Sequence, residues 1–366
     1  MLTLVLIVVA TALVFEYING FHDTANSIAT VVATKVLSPM QAVGLAASMN
    51  LIGALMGTAV AKTISSGLID AGVIDVGSQL ILCALLGGIV WNLITWWWGL
   101  PSSSSHALIG GLIGAALAAA SNNLDVVIWS EPAEPIWRSA GVLWKVVVPM
   151  VSSPVLGFAA GFFLMGVLFF VISMMARSGG LLARIARPRW VNSVFGKAQI
   201  VSAAGMGFAH GMNDAQKTMG IVALTLVSAQ SVGTLDNLPA WLAFLHPSDA
   251  ALAEGDIDLW IKITCAVVMA AGTAAGGWRI IKTLGHKLVK LHPIHGFAAE
   301  TSAASVILGA SSLGIPVSTT HNISSAIMGV GTAKRLNAIK WSVVNKMIWA
   351  WILTIPMSGG IAYGLF

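Results

Sequence analysis

The sequence predicts an all-α polytopic membrane protein, built as two inverted-topology repeats with broken helices and two opposed re-entrant helical hairpins. Three observations carry this prediction: a chain too poor in charge for water, a series of apolar segments of bilayer length, and a pair of polar motifs recurring in the same order in each half. Of 366 residues, 19 are Lys or Arg and 14 are Asp or Glu, so 9% are charged against 57% hydrophobic. A soluble domain carries about 25% charged residues. So few charges cannot cover a water-soluble surface, which excludes a soluble enzyme. Mean hydropathy is +0.87. The 38 glycines and 14 tryptophans suit close-packed membrane helices with interfacial anchors. The net charge of +5 is no nucleic-acid signal, because the basic residues lie in loops between apolar segments. Cys83 and Cys265 lie far apart in apolar stretches and read as core- or lipid-facing thiols rather than a disulfide or metal pair.

A membrane span needs about 20 apolar residues. Residues 2–21 form the first; lacking a basic leader and an A-x-A-like cleavage site, they read as a retained span and not a signal peptide. Further strong spans are 43–61, 79–98, 149–175, 259–277 and 342–363. Between them lie shorter or interrupted segments at 24–37, 105–120, 198–212, 218–232, 297–312 and 321–333. Interrupted segments at matching places in two halves point to a solute-binding site.

Two stretches repeat. Gly20-Phe21-His22-Asp23-Thr24-Ala25-Asn26-Ser27 matches Gly211-Met212-Asn213-Asp214-Ala215-Gln216-Lys217-Thr218. Gly99-Leu100-Pro101-Ser102-Ser103-Ser104-Ser105-His106 matches Gly314-Ile315-Pro316-Val317-Ser318-Thr319-Thr320-His321. Same order and same residue types indicate an internal duplication. It divides the chain into a first repeat at 1–140, a connecting span and basic loop at 141–197, a second repeat at 198–340 and a C-terminal span at 341–366.

Loop charge orients these pieces. Residues 176–197 hold Arg177, Arg184, Arg187, Arg189 and Lys197 with no acid, and 278–292 and 334–346 are also basic, so all three belong inside. Residues 121–135 and 233–258 carry Asp125, Glu131, Glu134, Asp236, Asp249, Glu254, Asp256 and Asp258 and belong outside, as do both termini. Lys62 falls outside in this scheme, against the rule. The hairpin tipped by Pro316–His321 then enters from the inside, and the one tipped by Pro101–His106 from the opposite face. Inverted repeats with opposed hairpins are an architecture of secondary transporters.

The chemistry of the motifs fits that architecture. Proline ends one helix, and the hydroxyls after it fall at the N-terminus of the next, where free N–H groups and the helix dipole favour an anion. Plain N-capping is the bland alternative for either tip alone. Asp23 and Asp214 interrupt apolar stretches, where an ionised carboxylate costs at least about 2.5–3.5 kcal/mol, so a cation, a proton or a lysine must neutralise each. In a helix Asp23 shares a face with Asn26, and Asp214 with Lys217; Glu16 stands two turns before Asp23. A structural ion pair is the competing reading. His22, His106, His210 and His321 flank the motifs, either as proton carriers or metal contacts or as neutral, hydrogen-bonded helix anchors.

These residues resemble the inorganic phosphate transporter (Pit) family, whose duplicated pattern is Gly-x-Asn/His-Asp-x-x-Asn with Gly-Leu-Pro-x-Ser/Thr-Ser/Thr-Ser/Thr-His. The Gly277-Trp278-Arg279 turn and the segment around Glu300 look similar too. The resemblance implies phosphate uptake across the inner (plasma) membrane by a homodimer. Carried over by position, phosphate falls to Ser103, Ser104, Ser105, Ser318, Thr319 and Thr320. The coupling cation falls to Asp23, Asn26 and Asp214, with Lys217 beside it, and Asp23 and Asp214 are the candidate metal contacts.

One departure matters. Gln216-Lys217 stands where sodium-coupled members carry a neutral Ser-Asn pair, so an ammonium takes the electrostatic place of a coupling Na⁺. This looks like the bacterial low-affinity branch, which couples to protons and takes up phosphate largely as a metal–phosphate complex, with Mg²⁺ or a similar ion. No tightly bound cofactor is expected. A sodium-coupled phosphate symporter, a sulfate permease of the same fold and a channel remain open. A hydrolase using Ser102–Ser105 with His106 does not fit, because the chain lacks a G-x-S-x-G elbow and a duplicated tip has no place in a one-site enzyme.

Overall fold

The computed structural model describes residues 1–61, 68–70, 73, 76–134 and 139–366; Lys62 lies outside them. Eleven principal helical segments among these residues are α1 (Leu2–Ala33), α2 (Pro39–Ala54), α3 (Ser78–Trp98), α4 (Ser104–Ala119), α5 (Val148–Arg177), α6 (Pro188–Ser231), α7 (Leu259–Ala275), α8 (Trp278–Leu288), α9 (Pro293–Ser312), α10 (Thr319–Lys334) and α11 (Trp341–Leu365). Apart from two isolated β-bridges, Ile69–Val127 and Glu131–Ala140, all regular structure described is helical.

Three expectations need correction. Neither aspartate motif breaks its helix: α1 runs 32 residues through Asp23, and α6 runs 44 residues through Asp214. Hydropathy falls at both motifs, but neither holds a proline, and the polar side chains face neighbouring helices instead of lipid. The basic stretches at 176–197 and 278–292 are not loops. The first becomes a turn at Gly179, one short helix (Gly180–Ile185) and the start of α6; the second is largely α8, bent 56° from α7 after Gly276. The span at 43–61 stops at Ala54, and Gln216 Oε1 then accepts from the Val60 and Ala61 N–H groups at 2.8 and 3.3 Å.

Charge separates the ends of the bundle. Val5 and Val8 near the start of α1 belong to one apolar cluster with Val126, Leu235, Leu242 and Ile257, and Thr234 Oγ1 lies 3.8 Å from Met1 Sδ, which brings the N-terminus to the acidic 233–258 loop. At the other end, Leu288, Val289, Leu291 and Ile339 pack in a second cluster beside the basic segments.

The two turns leading into the serine and threonine tips match in backbone form. Gly99 and Gly314 both hold left-handed φ, 65° and 67°, where a side chain would be strained. Ser103 and Ser318 then cap α4 and α10 by accepting from the N–H of His106 and His321, at 3.3 and 3.2 Å. The motif glycines serve packing. A Cβ on Gly20 would run into the Met269 carbonyl of α7, and one on Gly211 into the Asn50 carbonyl of α2. Gly211→Ala should therefore lower thermal stability in detergent by about 1–3 kcal/mol through overpacking. Gly44→Ala, inside α2 with nothing within 4 Å, should leave the melting temperature equal or slightly higher, since Ala favours a helix over Gly by about 0.5–1 kcal/mol.

Candidate functional site

Two buried polar stripes face each other where α1 packs on α6. On α1 the stripe is Glu16, Asn19, Asp23, Asn26 and Thr30, spaced three and four residues apart as one helical face requires, and all five are buried. On α6 it runs through His210, Asp214 and Lys217, also buried. Lys217 is the one buried lysine or arginine among the described residues, against four buried acids: Glu16, Asp23, Asp214 and Glu300.

Lys217 draws the pieces together. Its Nζ pairs with Asp214 Oδ1, donates to Ser105 Oγ at 2.5 Å and reaches the Val317 carbonyl at 3.1 Å. One ammonium thus touches the aspartate of α6, the tip of the first hairpin and the approach to the second. A buried ion pair keeps its charges only where further hydrogen bonds offset lost hydration, and Lys217 has two such acceptors. Asp214 Oδ2 accepts from Thr319 Oγ1 at 2.7 Å and lies 3.0 Å from His210 Nε2.

The Asp23 side is built differently. His22 Nδ1 lies 2.7 Å from Asp23 Oδ1 and donates to it, since a carboxylate can only accept. The other ring nitrogen faces Thr95 and Ser102 hydroxyls at 3.2 and 3.4 Å. Asn26 Nδ2 donates to Thr320 Oγ1 at 2.9 Å and to Thr319 Oγ1 at 3.3 Å, and Thr320 Oγ1 donates to Asp23 Oδ1 at 3.4 Å. The first-half motif therefore binds the second-half tip. His106 and His321 meet edge to face with ring centroids 4.8 Å apart, and His321 also lies against Trp351. Trp351 in turn donates to the Pro101 carbonyl at 2.9 Å.

The structure thus brings Asp23, Asn26, Asp214, Lys217, Ser105, Thr319 and Thr320 into one connected cluster. Ser103 and Ser318 stand at its edge with their oxygens engaged as caps, and Ser104 Oγ has no hydrogen-bond partner among the described residues. Ligand atoms of Asp23, His210 and Asp214 lie within 4.8 Å of one another, a set of two carboxylates and an imidazole that can hold a divalent cation. Hydroxyl donors beside such a set can bind an anion and its counter-cation together.

Sequence reading missed a second buried acid cluster. Glu300 of α9 accepts from Thr30 of α1 and from Ser202 and, at 3.2 Å, Gln199 of α6. An acid inside the apolar segment 297–312 was the signal for it, by the same rule that marked Asp23. Glu300→Leu should cost about 1–3 kcal/mol for each donor left unsatisfied, read as a lower melting temperature, while Glu300→Gln keeps an acceptor and most of the stability.

Comparison with known proteins identifies the family and the fold. The profile of the phosphate transporter family matches residues 19–362. A "Probable low-affinity inorganic phosphate transporter" of Bacillus subtilis (strain 168) is 40% identical over 99% of this chain and 97% of its own. A protein of the same description from Mycobacterium tuberculosis (strain ATCC 25618 / H37Rv) is 43% identical over 100% of this chain and 78% of its own. Among solved structures, "The sodium-dependent phosphate transporter" superposes with a TM-score of 0.76 at 23% identity, covering 99% of this chain and 98% of that one, which shows a shared fold. With a family match over most of its length and relatives at 40% identity and above, the chain belongs to the phosphate transporter family and is a transporter, not an enzyme.

Proposed function

We propose that this protein imports inorganic phosphate together with protons, holding phosphate between the Ser103–Ser105 and Ser318–Thr320 tips. The observation that carries the reading is Lys217: its ammonium already neutralises Asp214 and contacts Ser105, so a positive charge stands where a coupling Na⁺ would sit. Asp23 with Asn26, Asp214 and His210 receives the remaining cation, either protons or the divalent metal of a metal–phosphate complex carried as cargo. The relatives named low-affinity inorganic phosphate transporters support the substrate.

Alternating access follows from an inverted repeat, with 1–140 and 198–340 as its halves. Swapped packing supports this: α4 packs on α11 as α10 packs on α5, and α1 packs on α7 as α2 packs on α6. The hairpin tips enter from opposite faces, both termini lie outside with the acidic loops, and the contact of Met1 with Thr234 in the acidic 233–258 loop supports that placement of the N-terminus. The homodimer and the inner-membrane location rest on the family resemblance. The sodium-coupled reading has one observation in its favour, since the solved neighbour is named as sodium-dependent.

The test is radiolabelled phosphate uptake into proteoliposomes with the proton gradient, Na⁺ and Mg²⁺ varied independently. Uptake that follows an inward proton gradient and ignores Na⁺ supports the reading; uptake driven by Na⁺ at equal pH on both sides contradicts it. Excess sulfate competing as well as phosphate would transfer the assignment to a sulfate permease. Losing one tip donor should cost about 1.4 kcal/mol, so Ser105→Ala and Thr319→Ala should each raise KM about tenfold.

A further inference from the structure

Glu16 is a buried acid that the proposed phosphate site does not use. It lies on α1 two turns before Asp23, about 10 Å along the helix axis, and is 0% exposed. Its Oε2 accepts from Thr218 Oγ1 of α6 at 2.5 Å and from Asn19 Nδ2 at 3.4 Å. Its Oε1 has no hydrogen-bond partner among the described residues, and neither has Asn19 Oδ1. No ion pair among those residues includes it.

The titratable groups around it are few. From α6 come Asp214 and Lys217, and from α7 comes Cys265. On α1 the next are His22 and Asp23; α3 carries Cys83, and α2 carries none. Lys217 is already engaged by Asp214, Ser105 and Val317, so it is not the counter-ion of Glu16. A carboxylate in such a place must be neutralised. Glu16, Asn19 and Thr218 offer too few oxygens for Mg²⁺, which demands near-octahedral coordination. A proton needs one oxygen, and Oε1 is free to take it.

We propose that Glu16 carries the coupling proton, an inference that rests on the proton-coupled reading above. Oε1 takes a proton from the outer aqueous side and gives it to the inner side after phosphate leaves, one proton per cycle. Charge makes the coupling. Thr218, the hydrogen-bond partner of Glu16, directly follows Lys217 and stands one turn after Asp214. Ionised, Glu16 adds negative charge beside the cluster that must accept an anion; protonated, it removes that charge. Phosphate therefore binds better when Glu16 holds its proton, and by reciprocity bound phosphate holds the proton on Glu16. The position fits the direction of transport, because Glu16 lies between the N-terminal end of α1 and Asp23.

Glu16→Gln separates coupling from binding, since the amide oxygen still accepts from Thr218 but cannot shuttle a proton. In proteoliposomes the variant should keep phosphate/phosphate exchange at equal pH within about twofold, while net uptake driven by an inward proton gradient falls about tenfold or more. Gradient-driven uptake equal to that of the wild type overturns the proposal, as does loss of exchange together with net uptake. If the Gln variant does not reach the membrane, Glu16→Asp carries the test: net uptake persists with its pH dependence displaced by about half a unit, and an unmoved pH profile overturns the proposal. A wild type that ignores the proton gradient instead refutes proton coupling itself, which keeps the two failures apart.

Discussion

Asp214→Asn is expected to abolish phosphate uptake, by about a hundredfold or more, in protein that still inserts into the membrane. The cause is the charge it strands. Lys217 is 3% exposed and loses its carboxylate partner, and removing one member of a buried ion pair typically costs about 3–5 kcal/mol. The free ammonium would then compete with the coupling cation for Asp23, and Thr319 would lose the charged acceptor now 2.7 Å from its hydroxyl. Asp23→Asn should be as severe, because it removes the negative charge that faces His22 Nδ1 and Thr320, although the amide oxygen can still accept from both. The measurement is initial uptake rate per molecule of reconstituted protein. Near-normal uptake by either variant would mean that these carboxylates do not carry the coupling charge.

Lys217→Asn should convert the ion requirement. Without the ammonium, Asp214 is a buried carboxylate with vacated space on one side, and the shorter Asn amide leaves that space open to a cation while offering an oxygen at its edge. Uptake in Na⁺-free medium should fall about tenfold or more and recover when Na⁺ is supplied. Lys217→Met, with similar length but neither charge nor an amide, should be inactive with or without Na⁺. Recovery with Na⁺ in both variants would show that the lysine merely blocks a sodium site; recovery in neither would show that its contacts to Ser105 and Val317 are needed for phosphate.

Much of this site was legible in the sequence because the membrane makes polar residues conspicuous. Asp23, Asp214 and the two Pro-led hydroxyl tips stand out where each must have a partner. What could not be read was where that partner comes from. Asn26 pairs with Thr319 and Thr320 from the other half of the chain, a contact that no local spacing encodes. The continuity of α1 and α6 was also hidden. Hydropathy treats a polar stripe as a break, whereas a stripe facing another helix needs none. Basic stretches were misread as loops for a related reason: charge marks the side of the membrane, and both α8 and the start of α6 are helical there. Glu300 went unused because its donors, Thr30, Gln199 and Ser202, come from two other helices.

The most direct measurement is a cryo-EM map of the protein in lipid nanodiscs with phosphate present. Tetrahedral density touching both Ser105 of the first tip and Thr319 of the second, within reach of Lys217, is the expected result. Density held by one tip alone, or by the exposed basic residues Lys290, Lys334 and Arg335 with nothing between the tips, would contradict a shared pocket.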